Sequence, residues 1–112
     1  MTIPKMITCA INDYVIQNGT ETVMDRAELY ALVSSHYSIN NGSFLPQDYC
    51  YNRTNNGIDF ERQPHLFEYL ERNKYRLIGK NYPYTGLIIH KEKGSKSEIV
   101  VGEWKSGILI SQ

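Results

Sequence analysis

Phe44-Leu45-Pro46-Gln47-Asp48-Tyr49-Cys50-Tyr51-Asn52-Arg53-Thr54-Asn55-Asn56-Gly57-Ile58 is the stretch whose reading decides the fold. Gln47, Tyr51, Asn52, Arg53, Asn55 and Asn56 crowd into it, and such side chains make two or more directed hydrogen bonds or stack on a ring. Pro46, with no N–H to leave unpaired, fits the first turn of a helix. On that reading a short third helix starts at Pro46 and turns Gln47, Tyr51, Asn52 and Asn55 outward, as a reader of DNA base edges would. The other reading is an Asn-rich surface loop whose amides bond their own backbone.

On the N-terminal side, Ile3, Met6, Ile7, Ala10, Ile11, Tyr14 and Val15 form one helical stripe, with Thr2 as its cap and Asn18-Gly19 as its end. Glu21-Thr22-Val23-Met24 reads as a very short strand. Asp25-Arg26-Ala27-Glu28 is a capping box, with Met24 and Leu29 placed as a hydrophobic staple, so a second helix begins at Asp25. It fades near His36 and Tyr37. On the C-terminal side, residues 66–71 and 75–79 read as a hairpin with a polar tip at Arg72-Asn73-Lys74. Residues 87–90 and 98–104 flank a loop at 91–97, and Ser106-Gly107 turns the chain into a last strand at 108–110.

The order of helix, short strand, helix, polar helix and basic-tipped hairpin is that of an α+β winged helix-turn-helix: three helices followed by antiparallel β-hairpins. The chain reads as one domain over residues 1–112, with the helical core and wing in 1–80 and a β-hairpin extension in 81–112. The segments Leu45-Pro46-Gln47-Asp48-Tyr49-Cys50-Tyr51-Asn52-Arg53, Asn56-Gly57-Ile58, His65-Leu66-Phe67-Glu68-Tyr69, Lys74-Tyr75 and Asn81-Tyr82-Pro83-Tyr84-Thr85-Gly86 resemble a small bacterial winged-helix-like domain of obscure function. That domain is associated with restriction endonucleases and with defence or mobile-element genes. The resemblance covers roughly residues 25–105 and implies a DNA-recognition or DNA-sensing accessory role. It transfers no catalytic residue.

Formal net charge is zero, which counts against a polyanion partner, but the charges are segregated. Residues 1–71 hold four basic against nine acidic side chains (−5), whereas residues 72–96 hold seven basic against Glu92 alone (+6). A local basic patch is what phosphate contact needs; lysines at exposed sheet edges are the competing explanation. The site expected from this pattern places Gln47, Tyr51, Asn52, Arg53 and Asn55 on base edges and Arg72, Lys74 and Lys80 on phosphates of double-stranded DNA. The alternative partner is a protein, a nuclease or other defence protein, docked on the Tyr-rich face, since Tyr and Arg dominate binding hot spots.

For chemistry, Ile99-Val100-Val101-Gly102-Glu103-Trp104-Lys105 runs a hydrophobic strand into Glu-x-Lys, the ending found in metal-dependent PD-(D/E)xK nucleases. The second carboxylate would have to come from Asp59 or Glu92, and neither follows a hydrophobic strand. A non-enzymatic protein with no cofactor and no metal is therefore the preferred reading. Cys9 and Cys50 make neither a zinc spacing nor a disulfide framework, and His36, His65 and His90 show no ligand spacing. No apolar run approaches the roughly 20 residues needed to span a bilayer, and the N-terminus lacks a signal pattern, so a cytoplasmic location without membrane contact is expected. The sequence leaves the oligomeric state open.

Overall fold

The computed structural model of the chain describes residues 1–55, 59–91 and 97–111. Asn56, Gly57 and Ile58 of the polar stretch, and Glu92, Lys93 and Lys96 of the basic segment, lie outside the described residues. The elements in order are α1 (Ile3–Asn18), β1 (Val23–Met24), α2 (Arg26–Ser34), β2 (Arg53–Thr54), β3 (Phe67–Glu71), β4 (Lys74–Leu77), β5 (Gly86–Lys91), β6 (Glu98–Lys105) and β7 (Ile108–Ser111).

Both long helices form where their local signals lie. Thr2 accepts from the Lys5 N–H at the start of α1. At α2 the capping box closes in both directions, Asp25 accepting from the Glu28 N–H at 2.8 Å and Glu28 from the Asp25 N–H at 3.1 Å. The hairpin also forms, as β3 and β4 with Glu71 opposite Lys74. Its tip needs one left-handed residue, Asn73, with φ of 58°. The Asn73 side chain then accepts from the Arg26 N–H at 2.9 Å, so the tip folds back onto the first turn of α2.

The winged helix-turn-helix is not the fold. Among the described residues there are two α-helices and two sheets: a three-stranded one in the order β1-β4-β3 and a four-stranded one in the order β2-β5-β6-β7. The expected third helix is one 3-10 turn over Pro46–Tyr49. The reason is visible in burial: Tyr49, Cys50 and Tyr51 are three successive buried side chains, which no single helix face provides. From Cys50 the chain is extended, bridging Phe67 in parallel and continuing into β2, which pairs in parallel with β5.

Two buried clusters result. Ile7, Ala10 and Ile11 of α1 and Leu29 and Val33 of α2 pack with Phe44, Phe67, Tyr75 and Leu77 over the three-stranded sheet. Tyr51, Ile78, Tyr84, Ile88 and Trp104 fill the second, under the four-stranded sheet. Tyr51 links the two halves: its N–H donates to the Phe67 carbonyl at 2.8 Å, while its own carbonyl accepts from the Trp104 indole N–H at 2.8 Å.

Candidate functional site

The side chains expected to read DNA are committed to the fold. Tyr51 is 3% exposed; its hydroxyl donates to the Gly79 carbonyl at 2.7 Å and accepts from the Tyr82 N–H at 3.1 Å. The Asn52 side-chain amide copies a backbone partner, accepting from the Tyr69 N–H and donating to the Tyr69 carbonyl, both at 2.8 Å. Because β3 is the end strand of its sheet, Asn52 occupies an edge that would otherwise face water. Arg53 lies over the Tyr69 ring at 4.1 Å and pairs with Glu98 at 3.4 Å. Asn55 donates to Asp48 at 3.2 Å. Tyr51, Asn52, Arg53 and Asn55 each have a partner within the fold.

The basic set is dispersed, and its Lys74 is countered. Lys74 pairs with Glu71 at 3.1 Å, and Arg76 with Glu68 at 2.9 Å. Arg72 and Lys74 share the surface hollow at the hairpin tip with Asp25 and Glu28. Lys80 is exposed and stands elsewhere, beside α1, its N–H donating to Asn12 at 2.9 Å. The helix-turn-helix is thereby corrected: the recognition helix does not form, and Tyr51, Asn52, Arg53 and Asn55, assigned to it, bond the backbone or side chains of neighbouring elements.

Glu103 and Lys105 lie on one face of β6, 4.0 Å apart, and pair with each other. Asp59 pairs with Arg62 at 3.3 Å. Among the described residues, no group of three or more His, Cys, Asp or Glu side chains is placed to hold a metal ion. Cys50 is fully buried, its thiol donating to the Pro46 carbonyl at 3.4 Å, and burial pushes its pKa well up. It is an inert core thiol.

What the sequence reading passed over is the outer face of the four-stranded sheet. Register fixes that face: Leu87 opposes Glu103, which opposes Ile110; Ile89 opposes Val100; Lys105 opposes Ile108. The inner face carries Ile88, Gly102, Trp104 and Leu109, with Ile88 and Trp104 in the core. A bulge at Val101 keeps both patterns in phase across β5 and β6. On the outer face Leu87 is 50% exposed, Ile108 67%, Ile110 37% and Val100 36%. β7 is also the end strand, so its second edge is unpaired in the sheet. The signal was present in the sequence: Ile99-Val100-Val101 and Ile108-Leu109-Ile110 are unbroken apolar runs. A strand with one solvated face alternates instead, and continuous runs belong to sheets covered on both sides.

A family model described as "Domain of unknown function (DUF7225)" matches residues 7–111. The chain is 40% identical over 108 residues to "Uncharacterized protein YnaC" of Bacillus subtilis (strain 168), a match that takes in 96% of this chain and 38% of that relative. The chain thus spans well under half the length of the relative. No solved structure matches. Nothing in these matches links the domain to restriction endonucleases or defence genes. No helix among the described residues is long and apolar enough to cross a membrane.

Proposed function

The chain belongs to this family of domains of unknown function, and from that premise we propose that it is a non-enzymatic protein-interaction module, docking another polypeptide on the outer face of its four-stranded sheet. The observation that carries the reading is the apolar outer face itself: Leu87, Val100, Ile108 and Ile110 stand in water on strands whose runs are apolar on both sides. Contiguous exposed apolar surface of this kind marks contact sites. Register also puts Arg53, Lys91 and Glu98 on the side of Glu103 and Lys105; Arg53 pairs with Glu98 and Lys105 with Glu103, so the face carries little net charge and its apolar part suits an apolar surface better than a polyanion. Further polypeptide is at hand in at least one relative, where the matched segment is 38% of the length.

Double-stranded DNA has weaker support, because the ion pairs Arg53–Glu98, Lys74–Glu71 and Arg76–Glu68 break up the positive stripe that phosphate contact needs. The motif resemblance makes a nuclease or other defence protein one class of partner; that narrower reading rests on the resemblance alone.

The test places a photo-cross-linking residue at Ile108 in cells that carry the protein, with the same probe at Ile16, an exposed position on α1, as control. The expected result is one discrete polypeptide adduct at Ile108, identified by mass spectrometry, absent at Ile16 and reduced roughly tenfold when Leu87→Lys is added. Identical adducts at both positions, or none at Ile108, overturn the reading.

A further inference from the structure

β7 ends the four-stranded sheet, and its free edge differs from the other sheet edges described. β1 and β2, also end strands, are two residues each, and the edge of β3 is filled by the Asn52 amide. Short strands and covered edges are ordinary ways of keeping a sheet from pairing with another chain. β7 has neither. Its residues Ile108-Leu109-Ile110-Ser111 include no Lys, no Pro and no bulge, and Ile108 and Ile110 are both exposed.

The turn before β7 fixes which main-chain groups are free. Ser106 and Gly107 are both left-handed, with φ of 49° and 85°, a two-residue turn that makes Lys105 and Ile108 exchange both hydrogen bonds. Bonded and non-bonded pairs alternate from there. Glu103 and Ile110 therefore bond each other, while the N–H and C=O of Leu109 and Ser111 point away from β6. Among the described residues these outward groups have no partner. Two donors and two acceptors, at alternate positions along an edge, complement a second antiparallel strand with the same two positions free.

We propose that a second copy of this chain pairs antiparallel on β7, joining two four-stranded sheets into one about a two-fold axis at Ile110. In that register Leu109 of each copy exchanges both main-chain bonds with Ser111 of the other, and Ile110 meets Ile110 on the axis. An axis at Leu109 would instead call on Gly107, whose N–H is already given to the Tyr84 carbonyl at 2.9 Å. Charge permits the pairing. The chain has zero formal net charge, each Glu103 is paired with Lys105, and the two Glu103 residues stand about 14 Å apart across the axis, beyond a Debye length. The assembly closes as a dimer, because the far edge of each sheet is the two-residue β2. An edge this short buries less than a standard interface, so the dimer is reversible and forms at high concentration. Edge pairing leaves the outer face open, so the dimer adds to the docking reading and does not replace it.

Thiols placed along the edge test the register. In a chain carrying Cys9→Ser, Ile110→Cys puts two thiols on directly opposed non-bonded residues, with Cα atoms about 4.5 Å apart and within disulfide reach. Ile108→Cys lies on the same face at a more exposed position, but its two copies are about 14 Å apart across the axis. With oxidised glutathione as the oxidant, Ile110→Cys should form covalent dimer at least roughly tenfold faster than Ile108→Cys, whereas random collision gives the reverse order. Independently, sedimentation of the wild-type full chain should pass from monomer toward dimer between about 10 µM and about 1 mM. Ile110→Lys, which opposes like charges on the axis, should raise that midpoint at least roughly tenfold. Ser111→Pro, which removes an outward N–H and no bond to β6, repeats the test if Ile110→Lys does not fold. A wild type monomeric throughout, equal cross-linking at the two positions, or an unchanged midpoint in the folded variants each overturns the proposal. A different polypeptide captured at Ile108 by a monomeric wild type removes this dimer and leaves the docking reading standing.

Discussion

Asn52 is where two readings of the same residue part most clearly. As an exposed amide it would meet a base edge; in the structure both its polar atoms are bonded to the Tyr69 backbone at 2.8 Å. Asn52→Ala should therefore destabilise the fold by about 1–3 kcal/mol, since it strands a part-buried N–H and C=O, and urea melts measure it. A change below about 0.5 kcal/mol would return Asn52 to the surface. His65 offers a second measurement. Burial lowers its pKa from 6.5 to about 4, so as acidity rises the unfolded chain takes up the proton first. The stability that goes with a neutral His65 is whole above about pH 6.5, falls between 6.5 and 4, and levels below 4, a loss on the order of 3 kcal/mol. His65→Gln should flatten that part of the stability profile. Sequence alone showed neither behaviour: composition reveals that a side chain is able to bond, not whether its partner is solvent or a strand residue 17 positions away.

At the scale of elements, what was legible followed the range of the signal. The α1 stripe, the α2 capping box and the β3–β4 hairpin are each specified within a dozen or so neighbouring residues, and each forms as read. The stretch beginning at Pro46 is not local. Pro46 does begin a turn, but one turn of 3-10 helix is all it sets, because Cys50 and Tyr51 are drawn out to meet Phe67 and Trp104. Tertiary burial overrode a helix-start signal that was real. The strand β6 was read with its ending as a possible metal-nuclease motif, yet Glu103 and Lys105 pair on the outer face at 4.0 Å with Lys105 two-thirds exposed. Replacing both with Ala should change stability by less than about 1 kcal/mol, as exposed pairs do; thermal melts decide it. A larger loss would mean that something other than their mutual pairing holds them.

Across the whole molecule, the question is whether two cores behave as one. The helices report the first core through far-ultraviolet ellipticity, and Trp104 reports the second through its near-ultraviolet band. Three connections join them besides Tyr51. Leu66 sits in the first core and its carbonyl accepts from the N–H groups of Ile78, in the second, and Gly79. Glu68 on β3 accepts from both Arg76 at 2.9 Å and the Tyr84 hydroxyl at 2.8 Å, the latter inside the second core. The Asn52 carbonyl accepts from Ile89 at 3.0 Å while its side chain holds Tyr69, so one residue spans both sheets. With links of this density neither core can open without exposing polar groups of the other, and the two signals should trace a single coincident urea transition. Tyr51→Phe removes the hydroxyl contacts to Gly79 and Tyr82 at that junction and should move both curves together by about 1–3 kcal/mol. If Trp104 instead melts at a lower urea concentration than the helices, the four-stranded sheet is a separate cooperative unit. Its apolar outer face would then have to be held by whatever docks there.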